Sequence, residues 1–398
     1  MSPTTPGLDA PRASSVPWLT YTIIATVWLA TSLFAVASID MTPWMLHDLE
    51  VYQSWLPRLS TLAFPTADPT WQYPPGAGLV LLAAHGWSID FRWSFTIVIL
   101  LIDAAILATL LVAHARTRSS SLRGPWLWAM SGLVVGPIMM VRFDVAPTLF
   151  AVLAIVLVSR PALSGVASAV GTIVKVWPGL MLLVLPRRAF PRGALAFAVT
   201  AVVTLTAFAL LFDNSLSFLA NQRDRGLQVE STGALPYLIY SLLGGKVEFG
   251  LTYGSIQVLM NGAELVGTLV TLLGFGVIAL VAWWRFRGRL DDVPAGDVGL
   301  AVMLVSVATS RVYSPQFNTW LIGVSAAAML AGATRLRRAT VVVIAVSLVT
   351  QAVYPWSATQ LVTGESSGVI TQVVRIVLLV TATVMAVVAI GRRSTKET

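Results

Sequence analysis

The sequence predicts an all-α protein that crosses a membrane about twelve times within one integral domain. Three observations predict it. Apolar stretches recur from one end of the chain to the other, several of roughly 18 residues or more, the length a helix needs to span a bilayer. The 398-residue chain is 56% hydrophobic and only 11% charged, with a mean hydropathy of +0.79, a balance foreign to soluble domains. Its arginines gather at the ends of apolar stretches, where positive charge holds a helix end on the cytoplasmic side. The net charge of +8 therefore reads as membrane topology and not as a nucleic-acid footprint.

Residues 1–17 are polar and rich in Pro, Ser and Thr, so a disordered cytoplasmic tail is expected there. The segment at 18–38 follows without a small-residue cleavage pattern and reads as a retained helix, not a signal peptide. Further apolar segments are expected at 75–87, 93–114, 125–141, 145–159, 163–185, 193–212, 255–284, 298–309, 317–333, 340–354 and 369–390. They make 18–390 a single membrane domain, with a second cytoplasmic tail at 391–398. Pro75 suits a first helical turn, where its missing N–H would be unbonded anyway. The 163–185 segment carries Lys175 and Pro178 near its middle. Proline removes a backbone hydrogen bond and bends a helix, which is tolerated only where the freed groups meet protein or water. No internal repeat is visible, which weighs against an inverted-repeat transporter.

Five basic clusters set the orientation: Arg116/Arg118/Arg123, Arg187/Arg188/Arg192, Arg285/Arg287/Arg289, Arg335/Arg337/Arg338 and Arg392/Arg393/Lys396. From Arg187 onward they alternate with single crossings. The C-terminus is then inside and the loops at 213–254, 311–316 and 355–368 are outside. A cytoplasmic N-terminus puts loop 39–74 outside as well. Two readings stay open for 75–185. If 75–87 crosses fully, the Arg116 cluster falls outside, against the positive-inside rule. If 75–87 is re-entrant, the turn at 142–144 faces outside instead.

The available chemistry is narrow. There are no cysteines, and only His47, His85 and His114 among histidines, so thiol chemistry is excluded and a histidine metal site is not expected. The run Asn-Gln-Arg-Asp-Arg-Gly-Leu-Gln-Val-Glu at 221–230 packs four charges into ten residues, too polar to cross a bilayer. Arg223 and Arg225 offer two guanidiniums suited to a phosphodiester through forked hydrogen bonds. Glu230, seven residues from Arg223, would share its helix face. The plainer alternative is an amphipathic helix meeting lipid headgroups without specificity. In loop 39–74, the stretch from His47 to Tyr52 brings Asp48, Val51 and Tyr52 to one face of a short helix. Asp48 is there either a general base within reach of a hydroxyl proton or a solvated capping acid. Trp71 and Tyr73, just before Pro74 and Pro75, suit an interfacial belt, and Tyr73 would lie close to any site the loop forms.

Arg142-Phe143-Asp144 puts two charges between apolar segments, each costing about 2.5–3.5 kcal/mol in a bilayer centre, and the pair can offset each other. Lys175, inside an apolar segment, is a functional candidate whose partner would be a phosphate or a distant carboxylate such as Asp103 or Glu264. Arg375, early in the last helix, can snorkel. The turn 310–316 offers donors from Arg311, Tyr313 and Gln316.

Taken in order, these motifs are an Asp-x-x-x-Tyr loop, Tyr-Pro-Pro, Arg-Phe-Asp, Lys-Val-Trp-Pro, Gln-Arg-Asp-Arg-Gly-Leu-Gln-x-Glu-Ser and a Ser-Pro-Gln turn. The set resembles the actinobacterial polyprenyl-phosphate-sugar-dependent glycosyltransferases of family 87, with the GT-C fold. Their best-known members are the mannosyltransferases of phosphatidylinositol mannoside assembly. The resemblance runs from about Trp18 to Gln316 and is carried by the order of the motifs.

That resemblance implies inverting transfer of a sugar, mannose ahead of arabinose, from a polyprenyl phosphate to a hydroxyl of a glycolipid or lipoglycan. The acceptor would be a lipid-linked glycan such as a phosphatidylinositol mannoside. The reaction would take place at the external face of a bacterial plasma membrane, among membrane lipids, with no nucleic acid and no cofactor. The family's essential acid would map to Asp48 as catalytic base. Lys175, Arg223, Arg225 and Arg311 would hold the donor phosphate, and Glu50, Tyr52, Tyr73, Glu230 and Gln316 the sugar and acceptor. Many GT-C enzymes carry Asp-x-Asp in the first loop, and some use a divalent metal. This chain has Asp48-Leu49-Glu50 beside His47 and Tyr52, so no metal is expected. A histidine near the Arg311 turn, expected in the closest mannosyltransferases, is missing. The rival reading is a multipass transporter or lipid flippase, which would rely on Lys175, Asp103 and Glu264 and tolerate loss of Arg223 and Arg225. A scaffolding subunit without activity is a third.

Overall fold

The structure is a computed structural model that describes residues 16–392 except 67, 69, 118, 119, 222–225 and 253. Both expected tails lie almost wholly outside the described residues, and so do Arg223 and Arg225. In chain order the helices are α1 (Trp18–Ser38), α2 (His47–Leu59), α3 (Gly76–Ala83), α4 (Phe91–Arg116), α5 (Arg123–Ala129), α6 (Ser131–Val134), α7 (Val145–Val156), α8 (Pro161–Val174), α9 (Phe190–Leu211), α10 (Phe218–Asn221) and α11 (Leu235–Leu242). A hairpin of β1 (Phe249–Thr252) and β2 (Ser255–Val258) follows, then α12 (Ala263–Phe286), α13 (Ala295–Ala308), α14 (Phe317–Leu330), α15 (Arg337–Gln351), α16 (Ala358–Val362) and α17 (Ser366–Gly391). Among the described residues six helices are long and apolar enough to cross a membrane: α1, α4, α9, α12, α15 with its continuation to Trp356, and α17. The apolar helices α7, α8, α13 and α14 are shorter and pack on one another at the centre. The all-α, multipass expectation holds.

Polar side chains pin α1 antiparallel to α4. Tyr21 meets His114 at 2.9 Å, Trp28 and Ser32 donate to Asp103 at 2.8 and 2.9 Å, and Arg92 reaches Asp40 at 2.5 Å. Asp103 is thus bonded inside the α1–α4 seam and is not the partner of Lys175.

Contacts between loops define the two ends of the bundle. At one end, Ser121 N–H donates to the Leu330 carbonyl, Arg335 N–H to Asp297, the Arg335 guanidinium to the Arg392 carbonyl and Arg285 to the Leu183 carbonyl. Arg187 pairs with Asp291 at the same end. The described members of all five basic clusters therefore share one end. At the other end, Asp48 pairs with Arg142, Phe64 N–H donates to the Asp213 carbonyl, and Gln228 N–H to the Arg311 carbonyl. The turn at 142–144 accordingly lies with loop 39–74. That is the placement the re-entrant reading of 75–87 expects. α3 has eight residues, about 12 Å of rise, far short of a hydrocarbon core of about 30 Å.

Two expectations need correction. The 163–185 segment is not one crossing with a bend. α8 ends at Lys175, whose backbone is extended (φ −157°, ψ 134°), and a 3-10 segment Trp177–Val184 runs back along it. Gly171 permits this reversal, because a Cβ there would lie 2.8 Å from both Phe150 Cβ and Pro178 Cβ. Lys175 is therefore at the tip of a hairpin and not at mid-helix. The apolar stretch 255–284 is not helical throughout either. Gly254 and Gly262, at φ +69° and +84°, bracket β2, and α12 begins at Ala263.

Candidate active site

α2 forms because Leu49, Tyr52, Leu56 and Leu59 recur at helical spacing and turn inward, while Glu50 stays in solvent. Its first turn carries Asp48. The side chain pairs with Arg142, which belongs to the three-residue turn Arg142-Phe143-Asp144 ahead of α7. Phe143 is fully buried, 5.5 Å from the Tyr52 ring and 4.8 Å from the Tyr73 ring. That anchor sends its two charged neighbours to different partners. Arg142 goes to Asp48. Asp144 Oδ1 accepts from Lys175 Nζ at 2.6 Å and from Trp320 Nε1 at 2.7 Å. The two charges of the turn thus do not offset each other, as their spacing suggested. Each instead neutralises a charge from another element.

Lys175 Nζ also sits 4.7 Å from the Trp320 ring and 5.3 to 5.6 Å from the rings of Tyr73, Phe143 and Phe317. Aromatic faces attract a cation through their quadrupoles, so the cage holds the ammonium in place without consuming its hydrogen bonds. The tip of the α8 hairpin is what delivers the lysine here.

Three cavities lie around these elements, of which one is lined by a residue of the turn, Arg142. One of about 280 Å³ is lined by Gln72, Tyr73, Lys175, Ser306, Ser310 and Trp320, among others. One of about 190 Å³ lies on the Arg142 side and is lined in part by Gln228, Glu230, Ser314, Gln316 and Tyr354. The third, about 600 Å³, is a groove between α3, α4, α7, α8 and α9 whose lining is apolar apart from Thr204. The groove is lined in part by Gly76, Ile173 and Val174, the residues next in sequence to Pro75 and Lys175. Gly76 lets α3 lie against α8, since a Cβ there would stand 2.7 Å from the Ile173 carbonyl oxygen.

Burial pushes the Asp48 carboxyl above the ordinary carboxylate range, against the pull of the Arg142 guanidinium. Burial likewise raises Glu230, against the pull of Arg375. Glu230 lies in a turn, and Arg223, with which it was expected to share a helix face, is outside the described residues. The neighbours of Glu230 spend their backbone N–H groups elsewhere, Gln228 on the Arg311 carbonyl and Val229 on the Ile256 carbonyl.

The remaining sequence candidates fall in different places. Tyr73 and Gln316 line cavities beside the turn. Tyr52 is buried, and its hydroxyl has no hydrogen-bond partner among the described residues. Glu50 is exposed and meets His47 at 3.2 Å. Arg311 turns its guanidinium to α12, bonding Glu264 at 3.1 Å and Thr268 at 2.6 Å. Glu264 is therefore also not the partner of Lys175.

Arg142 and Arg375 carry more than sequence reasoning gave them. Arg375 does not snorkel. It is fully buried, pairs with Glu230 at 3.2 Å, and donates to Thr350 and to the Tyr313 carbonyl at 2.8 and 3.2 Å. It lies 3.8 Å from the Tyr313 ring centroid. The available signal was a charge inside a long apolar helix, the same signal that singled out Lys175.

A multipass helical frame thus gathers a carboxylate, two cations and an apolar groove at one end. The model of glycosyltransferase family 87 matches residues 71–315, more than half of the chain, and the chain belongs to that family. No curated protein and no solved structure matches it. Arg142, Asp144, Lys175 and Glu230 fall inside the matched region, whereas Asp48, Gln316, Trp320 and Arg375 fall outside it.

Proposed function

We propose that this glycosyltransferase moves a sugar, mannose ahead of arabinose, from a polyprenyl-phosphate donor to a hydroxyl of a glycolipid or lipoglycan acceptor, with inversion. The reaction occurs at the external face of a bacterial plasma membrane. Asp48 is the general base. It takes the proton of the acceptor hydroxyl as that oxygen bonds to the anomeric carbon, and the bond from that carbon to the phosphate oxygen breaks. Polyprenyl phosphate leaves with the electron pair. Lys175 and Arg142 stabilise the charge that grows on it, as cations fixed in advance can do in a partly dry site. The apolar groove takes the polyprenyl chain. Arg223 and Arg225, which lie outside the described residues, are proposed to bind the phosphate together with Arg311. Tyr73, Glu230 and Gln316 meet sugar hydroxyls, Tyr52 and Phe143 seat the base, and Glu50 serves the acceptor at the rim.

One observation carries this reading. Asp48 and Lys175 are joined through a single rigid turn, Asp48–Arg142 on one side and Asp144–Lys175 on the other. The test is to incubate purified protein with polyprenyl-phosphate mannose or arabinose and a lipid extract, and to follow the transferred sugar by mass spectrometry. Transfer that persists undiminished in Asp48→Asn would remove Asp48 from the mechanism.

A further inference from the structure

A second concentration of charge lies at the end of the bundle opposite Asp48, where α9 begins and α12 stops. Arg187, Arg188, Arg192, Arg287 and Arg289 are exposed there, and Arg285 is buried alongside. Two contacts bring the helix ends together. The Phe190 and Phe286 rings meet edge to face with centroids 4.9 Å apart, and Arg187 pairs with Asp291 at 3.5 Å. Gly288, at φ +76°, makes the turn after α12, and a Cβ there would stand 3.6 Å from the Arg187 guanidinium carbon. Arg187 is thus folded onto the turn that carries Arg287 and Arg289.

Acids are too few to balance these cations. The turn supplies Asp291 and Asp292 alone. Asp291 is taken by Arg187 and lies 3.8 Å from Arg285, whose guanidinium also donates to the carbonyls of Leu183 and Leu290. Among the described residues, Arg287 and Arg289 have no carboxylate partner, and Asp292 forms no ion pair. The guanidinium carbons of Arg287 and Arg289 instead stand 5.8 and 5.6 Å from the centroid of one ring, Trp283. An indole face attracts a cation. Two cations gathered at one indole also repel each other, and an anion beside them relieves that repulsion. Guanidiniums meet phosphate oxygens through forked hydrogen bonds.

The surroundings of the cluster select the anion. α9 and α12 are the least buried of the six long helices, with 6% and 17% of their most apolar stretches covered against 28–39% in the other four. Trp283 and Phe286, beside the arginines, are about half exposed. Aromatic rings at the end of a crossing helix sit at the level of lipid headgroups, and basic groups there meet anionic lipids. A phosphate at this place therefore belongs to a phospholipid, whose chains run along the uncovered faces of α9 and α12. A second copy docking through the same patch would set its arginines against these, since a two-fold interface brings like surface to like.

We infer that Trp283, Arg287 and Arg289, with Arg187, form a binding site for the phosphate of an anionic phospholipid, in the leaflet away from the candidate active site. The site does not depend on the transfer reaction proposed above.

Native mass spectrometry of the full chain released from mixed micelles tests this, with dioleoyl phosphatidylglycerol, dioleoyl phosphatidylcholine and inorganic phosphate as probes. Arg287→Gln/Arg289→Gln removes the two guanidiniums. Trp283→Leu removes the ring and leaves every charge. Arg116→Gln/Arg123→Gln takes the same charge from exposed arginines elsewhere at that end and is the control. A thermal melt in phosphatidylcholine micelles checks folding, and if the Arg287/Arg289 variant does not melt cooperatively, Trp283→Leu decides alone. The expected result is phosphatidylglycerol bound in preference to phosphatidylcholine, with an affinity that falls several-fold in the Arg287/Arg289 and Trp283 variants and hardly changes in the control. Equal losses in the test and control pairs would reduce the cluster to general positive charge and overturn the inference. So would equal binding of the two lipids, or inorganic phosphate that displaces phosphatidylglycerol at comparable concentration. A wild-type dimer that Arg287→Gln/Arg289→Gln breaks while lipid binding stays intact would overturn it too, and would give the patch to a second copy.

Discussion

At the scale of single residues, the site is a chain of compensated charges, and its behaviour follows from what compensates what. Asp48→Asn should cut transfer by about 10²–10⁴-fold, the usual worth of a general base, while the protein still folds and melts cooperatively, at a temperature lowered by loss of the Arg142 ion pair. The base works only when ionised, so transfer should fall as pH drops through the Asp48 pKa. Burial holds that pKa high, so the acid limb of a pH–rate profile should lie above the ordinary carboxylate value of about 3.9. Arg142 pulls the pKa down, so Arg142→Met should move the limb to higher pH. Lys175→Met should abolish donor binding and also strand Asp144, which is 2% exposed and would keep only Trp320. Breaking one side of a buried pair costs about 3–5 kcal/mol. The double variant Lys175→Met/Asp144→Asn should therefore recover most of the melting temperature and none of the transfer, a split read by differential scanning and activity together. Lys175 stood out in the sequence as a charge in an apolar stretch, whereas Asp48 was open between a base and a solvated cap until the resemblance pointed to it. Their connection was not legible. Only three-dimensional packing around Phe143 reveals that Arg142 and Asp144 point to separate partners.

At the scale of elements, the groove and the Arg375 hub are the parts open to test. Val170 lines the groove, and Val170→Trp should lower affinity for long-chain donors much more than for short-chain ones, compared by their KM values. Each methylene that loses its apolar contact forfeits about 0.8 kcal/mol. Arg375 joins α17 to Glu230 and to the turn at Tyr313, so Arg375→Met should raise the acceptor KM with little change in donor KM. Helices such as α1, α4 and α17 could be read from hydropathy within a few residues, since long apolar runs have few other solutions. The α8 hairpin and the β1–β2 hairpin could not. Both are short apolar runs, for which periodicity does not separate crossing, re-entrant and strand. What decided them was close approach at Gly171 and positive φ at Gly254 and Gly262, neither of which leaves a mark in a hydropathy profile.

At the scale of the whole molecule, the described arginine clusters collect at one end and the candidate site at the other, as the positive-inside reading requires. The chain has no cysteine, so a single introduced one is a unique reporter. Leu62→Cys, at the site end, should react with a membrane-impermeant maleimide applied to intact cells, and Gly288→Cys, at the arginine end, only after lysis. The opposite pattern would put the site on the cytoplasmic side. A further consequence comes from the four short central helices. α8 and α14, at 14 residues, rise about 21 Å, and α7, at 12, rises less, against a hydrocarbon core of about 30 Å. Asp144, Lys175 and Gln316 all stand where these helices stop. These helices thus fall several ångströms short of that thickness, and the candidate site stands at one set of their ends. Under the proposed reaction, the shortfall would let a lipid-borne phosphate reach Lys175 from the side while its tail stays in oil.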